Sequence, residues 1–194
     1  MTRPTRSGDV PSAVDDCATA VNESWQLRAR QSNSDASAPE ITLRELRYGS
    51  DDYKQTLQLR HRILRAPLGL DLFQENLSVE IHQRHFSLWQ LPDILLACLV
   101  IVPTAPACVK LRQMAVSDQH QRRGLGQQLV SEVERALLRD GVELIELHAR
   151  VSAVPFYQSC GYQTVGETFI EVGIPHQRMN KVLGHVSAVD VSAV

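Results

Sequence analysis

The stretch MAVSDQHQRRGLGQQLVSEVERALLR, residues 114–139, decides the fold. Met114-Ala115-Val116 reads as the end of a strand, and a short polar loop then leads through Gln121-Arg122-Arg123-Gly124-Leu125-Gly126 directly into a helix. The helix is written in the spacing of Leu125, Leu129, Val130, Val133, Ala136 and Leu137, with polar residues between them and Gly141 as the stop. A helix that starts in this way offers unpaired backbone N–H groups at its positive end, where a phosphate or pyrophosphate binds. Glycine at 124 and 126 permits close approach, and Arg122 and Arg123 add charge. A Walker loop is excluded because no Gly-Lys-Ser/Thr ending follows. The dinucleotide fingerprint is excluded because Leu129 stands where its third glycine belongs. Taken alone, the motif also fits a plain loop leading into a helix.

Upstream, Val109 and Leu111 alternate with Lys110 and Arg112, and after Gln113 the apolar phase slips by one to Met114 and Val116. Such a slip is how a β-bulge reads in sequence, and bulges cluster near active sites. Met114 and Ala115 as ordinary core residues would give the same pattern.

The run LRQMAVSDQHQRRGLGQQLVSEVE, then LIELHA, then AVPFYQSCGYQTVGETF resembles the GNAT superfamily of N-acetyltransferases. Residues 121–126 match the family's Q/R-x-x-G-x-G/A motif, and 156–162 match its F-Y-x-x-x-G-F/Y segment at the usual separation. The resemblance is strong over about 108–183 and weaker from about 41. It implies an acetyl-CoA cosubstrate. The pantetheine arm and thioester would be held by Met114, Ala115 and Val116. The pyrophosphate would lie on Gln121, Arg122, Arg123, Gly124, Leu125, Gly126 and Gln127. It also implies that Tyr157 donates a proton to the departing thiolate; the plain alternative is a tyrosine packed beside Phe156 in the core. Arg150 departs from the family, many of whose members carry Asn there, and this puts a side-chain contact to the cofactor in doubt.

Acetyl transfer to an amine also needs a group to take the amine proton. Glu146 and His148, two apart on one strand, share a face and are the candidates, with His176 as a third. A solvated Glu and a satisfied core His are the plain alternatives. His82 and His85 lack further ligands in sequence and read as surface, and no metal is expected.

A chain of 194 residues with 43% hydrophobic content supports one good core. A net charge of −2 gives no reason to expect nucleic acid or an anionic membrane, and no apolar run reaches membrane-span length. Cysteines 17, 98, 108 and 160 show no paired metal spacing, consistent with reduced thiols in a cytoplasmic protein. Residues 1–39, with Trp25 and Leu27 as the notable apolar anchors, read as a flexible tail. The domain is expected over 40–184 and a short tail over 185–194.

Within the domain, strands are expected at 41–48, 84–91, 94–102, 108–116, 143–149, 162–171 and 176–183. Helices are expected at 51–64, 127–139 and about 153–160, and Pro-containing turns at Pro92 and Pro103. The fold class is α/β: a mixed, mostly antiparallel sheet with helices on both faces and a splayed, bulged strand pair. The expected function is direct transfer of an acetyl group from acetyl-CoA to a primary amine, on a small molecule or peptide, in a ternary complex. The alternative is a non-catalytic acyl-CoA-binding or interaction module on the same fold. A homodimer remains open. Residues 64–84, expected beside the acceptor, carry Arg65, Asp71, Glu75 and Glu80 but no recognisable motif.

Overall fold

A computed structural model describes residues 40–184, so the expected tails at 1–39 and 185–194 lie outside the described residues. Seven strands form one sheet: β1 (Ile41–Leu46), β2 (Arg84–Gln90), β3 (Ile94–Ala105), β4 (Cys108–Val116), β5 (Leu144–Arg150), β6 (Gln163–Glu171) and β7 (Ile174–Val182). Their spatial order is β1-β2-β3-β4-β5-β7-β6, and only β4 and β5 run parallel. That parallel pair requires a crossover, which is α2 (Leu125–Arg139).

The helices cover opposite faces. Along β3, Ala97, Leu99 and Ile101 join the cluster of α2 residues Leu129, Val130, Val133 and Leu137, while Cys98 packs with Leu59 of α1 (Asp51–Arg60). Period-2 alternation thus assigns one set of side chains to each helix. Each fully buried leucine on the α2 face contributes roughly 1.5–3 kcal/mol of transfer free energy.

α1 starts where Ser50 Oγ accepts the Tyr53 N–H at 3.2 Å, with Asp51 and Asp52 at the positive end of the helix dipole. The helix expected to reach 64 ends as α-helix at Arg60. It continues as a single π turn, His61–Arg65, then a 3₁₀ turn, Ala66–Leu68, stopped by Gly69 at φ 69°. Residues 70–83 follow with two more 3₁₀ turns, opened by the side chains of Asp71 and Asn76. Their anchors are Leu72, buried with Tyr53 and Leu57, and the carboxylate of Glu80, which accepts bonds from the Arg60 guanidinium (3.0 Å to Nη1) and the Tyr53 hydroxyl (2.9 Å). Both charged groups of this pair are almost fully buried, so loss of either partner costs about 3–5 kcal/mol.

Two sequence expectations need correction. His85 is not a surface residue: it is 2% exposed, lies edge-on to Tyr53, and bonds through Nε2 to the Glu80 carbonyl at 3.1 Å. Burial pushes its pKa down, since the neutral ring loses less on leaving water. His82 is exposed as expected. Pro103 does not form a turn but lies within β3, which runs on to Ala105. The reason is local: β2 begins at Arg84 opposite Ile101, so at Pro103 β3 is paired with β4 alone and its other edge is open, where a proline is tolerated.

Candidate active site

The bulge expected after Gln113 is present. Ala115 pairs with Cys98 and Arg112 with Val100, so Gln113 and Met114 together stand opposite Leu99, and Gln113 takes φ 52°. β4 pairs with β5 only from Cys108↔Leu144 to Leu111↔Leu147. Beyond this point β4 stays with β3, while β5 follows β7 through His148↔Arg178 to Arg150↔His176. The sheet opens here, and two cavities meet at the opening.

The first, a groove of about 590 Å³, is walled by Met114, Ala115 and Val116 and by the loop running from His120 through Gln121 and Arg122 into Gly124, Leu125, Gly126 and Gln127. The loop is shaped by a 3₁₀ turn, Asp118–His120, and tied back by Gln121 Nε2, which donates to the Val116 carbonyl at 3.2 Å. Its two glycines serve different ends. Gly124 caps α2 at φ 78°, and a Cβ there would meet nothing within 4 Å: the conformation requires glycine, and the space beside it is open. Gly126 is helical, and a Cβ there would come 3.1 Å from Met114 Cε and 3.2 Å from the Phe156 ring, so it is glycine to let the bulged strand and α3 (Val154–Ser159) pack against the helix. The N–H groups of the first turn have no helix carbonyl to bond, and Arg122 lines the groove beside them. Open space, free donors and positive charge together fit a pyrophosphate-bearing cosubstrate. Arg123 is exposed and does not line this groove.

The second cavity, about 240 Å³, lies on the α1 face of the splay. Met114 and Ala153 wall both spaces, and the π turn borders both, giving Ile63 to the groove and Leu64 and Arg65 to the cavity. Tyr157 lines the cavity from α3. Its ring sits edge-on to Phe156 and Tyr162, and among the described residues its hydroxyl has one hydrogen-bond partner, Met114 Sδ at 3.6 Å. Burial, and secondarily Cys160, raise the phenol well above its ordinary pKa, so it holds its proton.

His148 also lines the cavity, and its Nδ1 lies 2.8 Å from Glu171 Oε2. A carboxylate at that distance only accepts, so Nδ1 carries a proton, and in the neutral ring the lone pair lies on Nε2. Lys110 Nζ stands 3.1 Å from Nε2, and burial lowers its hold on a proton. For Glu171, burial alone would raise the carboxyl pKa. The His148 hydrogen bond, with the charges of His148, His176 and Lys110, outweighs this and holds the group below its ordinary range. Glu171 is placed by a two-residue hairpin turn in which Val172 (φ 47°) and Gly173 (φ 78°) both have positive φ. His176 is buried at the cavity wall, with Nδ1 3.0 Å from the Ile174 carbonyl. Glu146 shares the face of His148, but Arg178 takes its carboxylate at 3.0 Å and it does not line the cavity. Arg150 does line it, and Nη2 donates to the Leu64 carbonyl at 2.9 Å.

Sequence reading missed Glu171 and Lys110. Lys110 was visible as a polar residue alternating with the core, but its neighbour across the splay was not. Glu171 sits 23 residues from His148, and only the β5–β7–β6 register brings it close. Among the described residues, no cluster of side chains suits a metal ion, and no helix is long and apolar enough to cross a membrane.

The profile of an acetyltransferase (GNAT) domain matches residues 75–183. YjcF of Bacillus subtilis, an uncharacterized N-acetyltransferase, is 36% identical over 73 residues, 37% of this chain and 52% of YjcF. The chain spans about half the length of the curated relatives it matches. Among solved structures, Escherichia coli ElaA superposes with a TM-score of 0.59 at 24% identity, over 73% of this chain and 99% of ElaA. A Bacillus subtilis acetyltransferase crystallised with CoA gives 0.57 at 18%, over 74% and 99%. These likenesses are of fold.

Proposed function

Because the chain belongs to the acetyltransferase (GNAT) family, and is thereby an acyltransferase drawing on acyl-CoA, we propose that it moves an acetyl group from acetyl-CoA directly to a primary amine. The observation that carries this reading is the meeting of two cavities at Met114 and Ala153, one suited to the cosubstrate and the other lined by a proton donor and a proton acceptor. With both substrates bound at once, no covalent acetyl-enzyme is needed.

In this reading, acetyl-CoA supplies the activated acyl group, with its pyrophosphate on Gln121, Arg122 and the turn from Gly124 to Gln127. Met114, Ala115 and Val116 line the groove between that loop and the splay. The unpaired backbone at the bulge leaves polar groups free to hold the pantetheine arm and polarise the carbonyl. His148 takes the amine proton on Nε2, directly or through water, while Glu171 keeps the ring in the required tautomer and stabilises the charge it gains. The amine nitrogen bonds to the acyl carbon, the carbon–sulfur bond breaks, and Tyr157 gives its proton to the sulfur. Its raised pKa suits a group that must arrive protonated. His176 and Glu146 stand behind His148 as candidate bases, Glu146 at the disadvantage of its pairing with Arg178.

The test is a thermal-shift titration with acetyl-CoA, followed by transfer assays over a panel of amines. At a hundred times its dissociation constant a ligand adds about 2.7 kcal/mol of stability. An unmoved melting temperature at saturating cosubstrate refutes the cofactor assignment. Binding without transfer to any amine favours the non-catalytic acyl-CoA-binding module.

A further inference from the structure

The wall of the acceptor cavity carries four cationic side chains, Arg65, Lys110, Arg112 and Arg150, against one carboxylate, Glu171. Among the described residues the cations are not balanced. Arg65 is held by Glu75, and Glu171 is bound by His148. Arg112 has no carboxylate partner among the described residues, and the single hydrogen bond of Arg150 goes to a backbone carbonyl. Arg150 is partly buried, and both that burial and the neighbouring Arg65 work against its charge. A partly desolvated guanidinium without an anion, as at Arg150, is costly, and the planar fork of Arg150 and Arg112 matches a carboxylate. A cavity of about 240 Å³ is below the size that encloses a drug-sized ligand, which points to a small partner.

Resting on the acetyl-transfer reading, we propose that the acceptor is a small amine bearing its own anionic group, such as an amino acid, with the anion gripped by Arg150 and Arg112 while the amine faces His148. The same charge excludes polyamines, whose further ammonium groups would face these guanidiniums. Arg150 then has a purpose that a cofactor contact does not give it.

The experiment compares kcat/KM for matched acceptors at saturating acetyl-CoA: amino carboxylates, their amides, aminoalkyl phosphates and polyamines. The proposal expects the anionic member of each pair to be favoured at least about tenfold, one well-formed charged contact being worth that much. The pairs also separate a carboxylate from a phosphate as the anion preferred. Arg150→Gln is expected to raise KM for the anionic acceptor and erase the preference, leaving the thermal shift with acetyl-CoA unchanged. Arg112→Gln, at an exposed position that keeps the fold safe, is expected to erode the preference in the same direction. Amides or polyamines used as well as or better than the anionic amines, or a preference untouched in both variants, would overturn the acceptor class while leaving acetyl transfer standing. Transfer to no amine at all overturns both.

Discussion

The groove proposed for the cosubstrate and the cavity proposed for the acceptor share Met114 and Ala153 yet are assembled in different ways. The groove is cut mainly from one continuous stretch, residues 114–127, and works through backbone: a bulge, a left-handed Gly124 and the open N–H groups of a helix start. The cavity gathers single side chains from β4, β5, β7, α3, the β6–β7 hairpin and the π turn. A site made of local backbone geometry needs only a few residues at fixed spacing. A site made of side chains from distant elements depends on every register between them.

The largest expected effect tests the point where the two regions meet. Tyr157→Phe removes a hydroxyl whose one hydrogen-bond partner among the described residues is a thioether 3.6 Å away, and keeps the ring contacts with Phe156 and Tyr162. Stability and acetyl-CoA binding are therefore expected to stay near wild type, while turnover falls about a hundredfold, the lower end for loss of a general acid, because a thiolate departs partly unaided. Full turnover in Tyr157→Phe, under conditions where chemistry limits the rate, would return this tyrosine to the core and leave the proton to water.

A smaller effect tests the backbone-built side. At Gly126 even a Cβ is tight against Met114 and Phe156, so Gly126→Leu must push the bulged strand away from the helix or project into the groove. Overpacking of this kind costs about 1–3 kcal/mol, and acetyl-CoA affinity is expected to fall by about tenfold or more, or roughly 1.4 kcal/mol. Gly126→Ala asks less, since about 1 kcal/mol of helix propensity offsets the crowding. Melting curves with and without cosubstrate distinguish the two. Unchanged affinity in Gly126→Leu would mean that the groove does not hold the cosubstrate against this turn.

The same contrast explains how far the sequence could be read. Strand phase, the slip after Gln113, the spacing of Leu125 to Leu137 and the paired motifs were all local, and the bulge, the crossover helix and the splay follow from them. Pro103 misled because a proline interrupts a strand where a neighbouring strand needs its N–H, and β2, which begins opposite Ile101, does not reach it. His85 misled because its cover comes from Tyr53 and the turn at 77–82, held by a buried Arg60–Glu80 pair that no spacing announces. His148 was visible as a candidate, but its partner was not, since a 23-residue separation becomes contact only through two strand pairings.

The smallest effect concerns that hidden pairing. Glu171 is held below its ordinary pKa of 4.5, burial being outweighed by the bond to His148 and the neighbouring charges. A carboxyl whose pKa is lower when folded stabilises the protein fully above its unfolded value and loses that contribution as pH falls through the folded one. Glu171→Gln is therefore expected to be less stable than wild type at pH 6–7. Below about pH 4.5 the gap should narrow as wild type takes up the proton that the variant already mimics. Both partners are partly exposed, with side-chain exposures of 27% for His148 and 39% for Glu171, so water screens the pair and the difference should not exceed about 1 kcal/mol. Denaturant titrations of both proteins at several pH values measure it. A gap that stayed constant down to pH 3 would show that the carboxylate and the imidazole are not coupled in the folded chain, and the acceptor side would lose the group that fixes its base.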